Sequence, residues 1–415
     1  MRGRLRKEWL RRMLLLLIYL LGLPGSWLAQ RRARHPLSSA RAPRLLLLRP
    51  DHLGDLVLTT PALTALKEHC PTAQITLFVG PWSQAIVMGH PAAERVLTCA
   101  FPGFRRAAQG ALSPYWLLLR LAWQLRRERY DLAINLRPDF WWGAALLYLA
   151  GIPHRVGYAL APGRRFLTHA LPFPEGEHST CSSLRLVSVA LQLLGQAPLA
   201  EPFTPERYPL LFGPTAQEEE RATALLAKAG LTGETPFAVI HPGSGAAVKL
   251  WRPEGWATCA VTLLRRYGLR LVLTGTPQEQ ALLEEIATLV HQQLRADEAP
   301  PVSLSTLSIG ELAAVLRRAQ LALGVDSGPL HVAVSQGTPT VALYGPADPR
   351  IFGPWGDPRR HVVILASERC PACPKLPCGR LDIPPQALPS HPCVRLIPEE
   401  RVLAAVEQLL PARML

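Results

Sequence analysis

At 415 residues the chain is long for one compact core and suits two domains of ordinary size, and its 48% hydrophobic residues can fill both. The formal net charge is +14, but residues 1–44 hold eleven arginines and lysines against the single Glu8 and so carry +10 of it. The remaining body is mildly basic and has no basic stripe interleaved with aromatic rings, so nucleic acid is not an expected partner.

Residues 1–43 open with Arg2, Arg4, Arg6, Lys7, Arg11 and Arg12 and enter an apolar run over 13–23. Pro24 and Gly25 interrupt the run before Trp27, and Arg31, Arg32 and Arg34 follow. The run is short for a membrane span, which needs about 20 residues. Basic flanks on both sides favour keeping both ends on the cytoplasmic face. The segment reads as an interfacial anchor on anionic lipid, with Trp9, Tyr19 and Trp27 near the headgroups. That places the protein peripherally on the inner face of the cell membrane. A cleaved signal or a single span is the alternative.

Residues 44–196 form a first domain. The uninterrupted apolar run between Arg44 and Arg49 is the signature of a buried parallel strand. A loop through Asp51, Gly54 and Asp55 leads into a helix over 56–69. Strands at 75–79 and 95–98 follow, then a helix over 112–129 with Trp116, Leu119 and Trp123 on one face. A strand at 131–136, a helix at 140–150 and a strand at 155–158 continue the alternation, which predicts a doubly wound parallel sheet. The loop after the first strand has one glycine and no G-x-G-x-x-G, which disfavours nicotinamide and flavin chemistry. Asp55 opens a helix at the crevice end of that strand, where it can accept a proton from a hydroxyl. A plain first-turn acid would look the same.

Residues 197–214 are proline-rich and read as a semi-rigid linker. The second domain, 215–397, repeats the pattern. It has helices at 217–229, 253–267, 277–291 and 309–318, and strands at 237–240, 269–274 and 302–304. The run 321–346 completes its sheet: a strand to Gly324, a polar loop with Asp326, Ser327 and Gly328, a short helix, and a strand at 340–344. Small-residue loops leave backbone N–H groups at a helix N-terminus, an anion site when it is more than a tight turn. Two such crossovers, at Gly243-Ser244-Gly245 and Ser327-Gly328, could serve one diphosphate. Lys249 lies just past the first; it is one of only five lysines and reads as a phosphate partner or as a solubilising charge.

Cys370, Cys373, Cys378 and Cys393 crowd into a proline-rich loop, 370–393, with His391 alongside, while the other four cysteines are scattered. The spacing suits a structural zinc site, since four cysteines leave no open coordination position; disulfides and unpaired thiols are the alternatives. Residues 398–415 read as a closing helix.

Taken together, R-x-D-x-x-G-D from Arg49 to Asp55, His241-Pro-Gly-Ser with Lys249, Trp251 and Trp256, D-S-G-P-x-H from Asp326 to His331, and the stretch after Tyr344 resemble glycosyltransferase family 9. This is the family of the ADP-heptose:lipopolysaccharide heptosyltransferases. The resemblance implies an α/β GT-B fold, with two Rossmann-like domains facing across a cleft. The N-terminal one would take the acceptor and the C-terminal one the nucleotide sugar. It implies an inverting, metal-independent transfer of a heptose or related sugar from a nucleotide-diphosphate donor, ADP-heptose foremost. The acceptor would be a lipopolysaccharide-type, lipid-linked or other glycan. Carried over by motif, Asp55 is the general base, Lys249 neutralises the leaving diphosphate, and Ser244 beside Gly243 donates to it. Asp326 orients the lysine, while Ser327, Gly328 and His331 complete the cradle and Glu279 meets the ribose. No cofactor is expected for catalysis. A sugar-nucleotide epimerase or hydrolase on the same scaffold, or a non-catalytic nucleotide-binding membrane scaffold, are the competing readings.

Overall fold

The computed structural model describes residues 2–33, 42–104, 112–233 and 235–410. The chain divides into two compact units that meet in sequence at Phe203 and Thr204, inside the proline-rich linker read from the sequence.

The first unit begins with helix α1 (Arg2–Ala33) and strand β1 (Arg44–Arg49). Helices α2 (Leu53–Val57) and α3 (Thr60–His69), β2 (Gln74–Val79), α4 (Gln84–Val87), β3 (Arg95–Thr98), α5 (Ser113–Glu128) and β4 (Leu132–Asn135) follow. The unit ends with α6 (Trp141–Leu149), β5 (His154–Tyr158), β6 (His169–Leu171) and α7 (Ser179–Leu193). Its six strands are parallel, in the order β3-β2-β1-β4-β5-β6. The leucines of β1 are wholly buried because helices cover both faces of the sheet. The single helix expected over 56–69 is instead two. Pro61 has no N–H for the carbonyl of Val57, and the Thr60 hydroxyl donates to that carbonyl at 2.7 Å. The Thr59 hydroxyl serves Asp55 in the same way.

Two helices of this unit differ from the sequence reading. α1 runs through Pro24 and Gly25 without a break. Leu15, Ile18, Gly22, Ser26 and Ala29 form one buried stripe at helical spacing. Gly22 lies so close to the Tyr148 ring that a Cβ would fall 2.1 Å from it; the Tyr148 hydroxyl donates to the Tyr19 carbonyl at 2.8 Å, and Ser26 receives a hydrogen bond from buried Arg155. Part of α1 is therefore built into the unit, while Leu16, Leu17, Leu20, Leu21 and Trp27 stay exposed. On α5 the buried stripe is Leu118, Ala122 and Leu125. The face bearing Trp116, Leu119 and Trp123 is exposed, the two indoles by 71% and 56%. β6 and α7 had no sequence assignment; β6 is a three-residue edge strand without an apolar run.

The second unit contains α8 (Ala216–Lys228), β7 (Phe237–His241), α9 (Pro253–Tyr267), β8 (Arg270–Thr274), α10 (Gln280–His291), β9 (Val302–Leu304), α11 (Ile309–Arg318) and β10 (Leu321–Val325). It ends with α12 (Gly328–Ser335), β11 (Thr340–Tyr344), α13 (Pro349–Phe352), β12 (His361–Leu365) and α14 (Glu399–Leu409). Its strands are also parallel, in the order β12-β11-β10-β7-β8-β9. Reciprocal capping boxes start α8 (Thr215 with Glu218) and α11 (Ser308 with Glu311). Both sheets are doubly wound, the α/β architecture expected. Strand β12, unassigned from the sequence, extends the second sheet beyond β11.

Candidate active site

In the first unit the charges gather where β1 and β4 end, the carboxyl edge at which α/β sheets place their chemistry. Arg49, the last residue of β1, is 5% exposed. Its guanidinium donates to the Leu136 carbonyl at 2.8 Å and to Ser179 Oγ, at the start of α7, at 3.3 Å. It pairs with the buried Asp51 at 2.8 Å and lies 3.6 Å from the Asp55 carboxylate. Asp51 also receives Arg137, whose Nε bonds Asp139 at 2.7 Å. Burial opposes the charge on Arg137, but the two carboxylates outweigh it and raise its pKa. The result is a chain of alternating charges, Asp55, Arg49, Asp51, Arg137 and Asp139. Asp55 stands, partly exposed, at one end of this chain.

In the second unit the ends of β7 and β10 converge. Lys249 Nζ lies 2.6 Å from Asp326 Oδ2, with both side chains largely buried. The lysine ends a short 3-10 turn, Ala247–Lys249. Trp251 fixes that turn: its indole donates to the Ile397 carbonyl at 2.9 Å and meets Trp256 edge-on at 4.8 Å. Ser327 caps α12 in extended backbone conformation, and its hydroxyl is buried without a hydrogen-bond partner among the described residues. Gly324 is required, because a Cβ there would meet the Leu330 side chain at 2.3 Å and the His241 carbonyl at 2.7 Å. The Ser244 hydroxyl reaches the Asp326 carbonyl at 3.5 Å. The Glu279 carboxylate closes a capping box with Thr276 and fills the space where Gly243 lacks a side chain. His241 is buried with Nδ1 3.1 Å from Thr274 Oγ1, and burial drives its pKa down to about 4 against the opposing pull of Glu279.

Gly243, Ser244, Lys249, Glu279, Asp326, Ser327 and Gly328 are thus gathered at the strand ends of one sheet. His331 lies buried one turn inside α12, and Asp55 belongs to the other unit. A third cluster lies in the 370–393 loop. One donor atom each from Cys370, Cys373 and His391 fall within 4.8 Å of one another, with Cys373 Sγ 3.2 Å from His391 Nδ1. Cys393 packs beside Cys370, and Cys378 beside Cys373. Burial pushes the Cys393 thiol up to about 12. Gly345 makes room for Cys393, since a Cβ there would stand 2.9 Å from its sulfur. Sulfur and imidazole donors at this spacing fit a zinc-type ion.

The family model for glycosyltransferase family 9 (heptosyltransferase) matches residues 118–380. The chain belongs to glycosyltransferase family 9. It is 25% identical to lipopolysaccharide heptosyltransferase 3 of Escherichia coli, over 86% of this chain and 97% of that protein. It is 27% identical to lipopolysaccharide heptosyltransferase 1 of Pseudomonas aeruginosa, over 81% and 87%. Among solved structures, a family 9 glycosyltransferase from Veillonella parvula superposes with a TM-score of 0.68 at 23% identity, covering 89% of this chain and 97% of that one. E. coli ADP-heptose heptosyltransferase II gives 0.63 at 21% identity, covering 88% and 98%. These likenesses establish the GT-B fold class, and the family establishes a glycosyltransferase.

Within the stretch R-x-D-x-x-G-D from Arg49 to Asp55, the sequence reading singled out the last aspartate alone. The structure adds Arg49 and Asp51 of the same motif, together with Arg137, Asp139 and Ser179. The first two were readable as charges placed directly after a buried strand. Arg137 lies 86 residues beyond Asp51, and only the pairing of β1 with β4 brings them together.

Three histidines, His90, His241 and His361, are each held near pKa 4, chiefly by burial. The unfolded chain then binds protons that the folded chain refuses as pH falls from about 6.5 to about 4, so stability is full above this window and is lost within it. One complete shift of this size is worth about 3 kcal/mol. Thermal unfolding should show Tm falling from about pH 7 to about pH 4.5, with a shallower slope in His361→Gln. An unchanged slope in that variant would contradict the assignment.

Proposed function

We propose that the protein carries out inverting, metal-independent transfer of a heptose or related sugar from a nucleotide-diphosphate donor to a hydroxyl of a lipopolysaccharide-type glycan. ADP-heptose is the donor that its relatives favour: they are named lipopolysaccharide heptosyltransferases, and a solved E. coli heptosyltransferase of similar fold is described with ADP. The observation that carries the reading is the Lys249–Asp326 pair set beside the start of α12 and the Ser327 hydroxyl, which has no hydrogen-bond partner among the described residues. A fixed cation and helix N–H groups together suit the charge that develops on a departing diphosphate.

In the proposed step, Asp55 accepts the proton of the acceptor hydroxyl as its oxygen attacks the anomeric carbon. The bond from that carbon to the β-phosphate oxygen breaks, and its electron pair leaves on the diphosphate with inversion at the carbon. Arg49 holds the Asp55 carboxylate in place. Lys249, Ser244, Ser327 and the N–H groups at Gly328 receive the diphosphate, with the backbone near His331 completing the cradle and Glu279, beside Gly243, toward the ribose. Asp55→Asn should bind the donor normally and lose transfer by about a hundredfold or more, the worth of a positioned base. Near-normal turnover in Asp55→Asn would sink the assignment.

Membrane attachment is the second part of the proposal. Residues 13–31 form a helix long and apolar enough to cross a bilayer, with mean hydropathy 1.6, yet about a quarter of it is packed into the unit. Two exposed indoles each carry an arginine on the ring face, Arg31 3.5 Å from the centre of Trp27 and Arg127 3.3 Å from that of Trp123. Aromatic rings capped by cations suit the headgroup region of anionic lipid. We read α1 and the exposed face of α5 as one attachment surface on the cytoplasmic side. Trp116→Ser with Trp123→Ser should weaken flotation with phosphatidylglycerol-containing vesicles. Binding equal to that of the unaltered protein would remove α5 from the surface.

The cysteine cluster is proposed to hold one structural zinc through Cys370, Cys373 and His391, with Cys378 or Cys393 as the fourth ligand. Elemental analysis of the purified protein should find about one ion per chain, as expected for a closed four-ligand site. Folded protein free of metal would rule it out.

A further inference from the structure

The loop between β12 and α14 is tied to the rest of its unit by little backbone. Eight prolines fall between 371 and 398, and none has an N–H to donate. Its backbone hydrogen bonds are local turns, such as Cys373 to Cys370 at 3.0 Å and Ala387 to Pro384 at 2.9 Å. Among the described residues, only Gly379, which donates to the Pro346 carbonyl at 2.8 Å, carries such a bond out of the loop. What closes the loop is its cluster. Cys370 and Cys373 stand at one end and His391 and Cys393 at the other, with Cys373 Sγ 3.2 Å from His391 Nδ1 and Cys393 beside Cys370. The two ends are joined whether the sulfurs and the imidazole hold an ion or one another.

The closed loop reaches the Lys249 turn by two routes. The 3-10 turn Pro385–Ser390, which runs straight into His391, lies against the 3-10 turn Ala247–Lys249. On the other side of the cluster, Cys393 and Val394 are buried against Gly345, where a Cβ would stand 2.9 Å from the Cys393 sulfur and 2.4 Å from the Val394 side chain. The chain then turns, with the Ile397 N–H donating to the Val394 carbonyl at 3.1 Å. This turn offers its carbonyls to the residues that follow Lys249. Trp251 donates to Ile397 at 2.9 Å, and Arg252 donates to both Arg395 and Ile397 while pairing with Glu399. Lys249 is thus bracketed by two segments that leave the cluster within two residues of His391 or Cys393.

We propose that this loop is a positioning element of the donor site, in which His391 and Cys393 act through the two flanking segments to hold Lys249 beside Asp326. The proposal rests on the reading of Lys249 as the partner of the diphosphate. A cation serves a leaving group best when it needs no rearrangement at the moment of reaction, and a turn braced from both sides meets that need. Such coupling is reciprocal. Whatever the closed loop adds to nucleotide binding, bound nucleotide returns as resistance of the loop to opening. A cluster that merely staples the unit would raise its thermal stability and leave nucleotide affinity unmoved.

The test uses the full chain with ADP, GDP and UDP, and the tightest binder is carried forward. Its Kd is measured by calorimetry well below the unfolding temperature. His391→Ala and Arg252→Gln should each weaken binding by about tenfold, an ordinary size for coupling between sites. The double variant should bind little worse than His391→Ala alone, because Arg252 works on a segment that the open cluster has already released. In the unaltered protein, saturating nucleotide should slow alkylation of Cys370, Cys373 and Cys393 by iodoacetamide by about tenfold, read peptide by peptide by mass spectrometry. That arm needs no variant and stands if His391→Ala fails to fold. Unchanged affinity in both single variants, whatever their Tm, would overturn the proposal, and so would alkylation that nucleotide does not slow. A protein that binds none of the three nucleotides would refute the proposed function itself, and the positioning role with it.

Discussion

The second unit depends on a carboxylate that must not be left alone. Asp326 follows β10 almost wholly buried, and a charge there is tolerable only beside a matched cation. Lys249 supplies it at 2.6 Å from a turn that the core itself holds rigid. Trp251 anchors the turn to the carbonyl of Ile397 and packs against Trp256, while Gly255 leaves room for its ring. Removing either partner of such a buried pair costs about 3–5 kcal/mol, because the survivor stays charged and uncompensated. The lysine is therefore held in one position before any ligand binds.

The first unit uses the same arrangement with more members. Arg49 is buried at the end of β1 and satisfied by Asp51, Asp55, a carbonyl of the next strand's loop and Ser179. Asp55 is thereby aimed by a residue that the sheet places, and the aim extends through Asp51 to Arg137. In each unit the parallel sheet delivers oppositely charged groups to the carboxyl ends of its central strands.

Much of this was legible in the residues. Buried parallel strands such as β1 and β11 are continuous apolar runs between polar ends, and the motif around Asp326 sits where a strand becomes a helix. What was missed lacked a local signal. Strand β6 is three residues at a sheet edge, and β12 follows a turn-rich stretch rich in arginine. The continuity of α1 through Pro24 comes from packing against α6, which overrides a local breaker. The face of Trp116, Leu119 and Trp123 has helical spacing, but spacing gives the period and not which stripe is buried; Leu118, Ala122 and Leu125 take the core. Arg137 joined the site through strand pairing, a relation that no window of sequence contains.

In the proposed reaction a fixed lysine and a helix start would bind a nucleotide diphosphate sugar without a divalent ion. A thermal-shift panel of ADP-, GDP-, UDP- and dTDP-sugars, run with no added divalent metal, tests it most directly. One of them should raise Tm, by an amount equivalent to about 2.7 kcal/mol at a hundredfold excess over its Kd. Lys249→Ala should abolish most of that rise. A rise that appears only with added magnesium, or one of equal size in Lys249→Ala, would contradict the account.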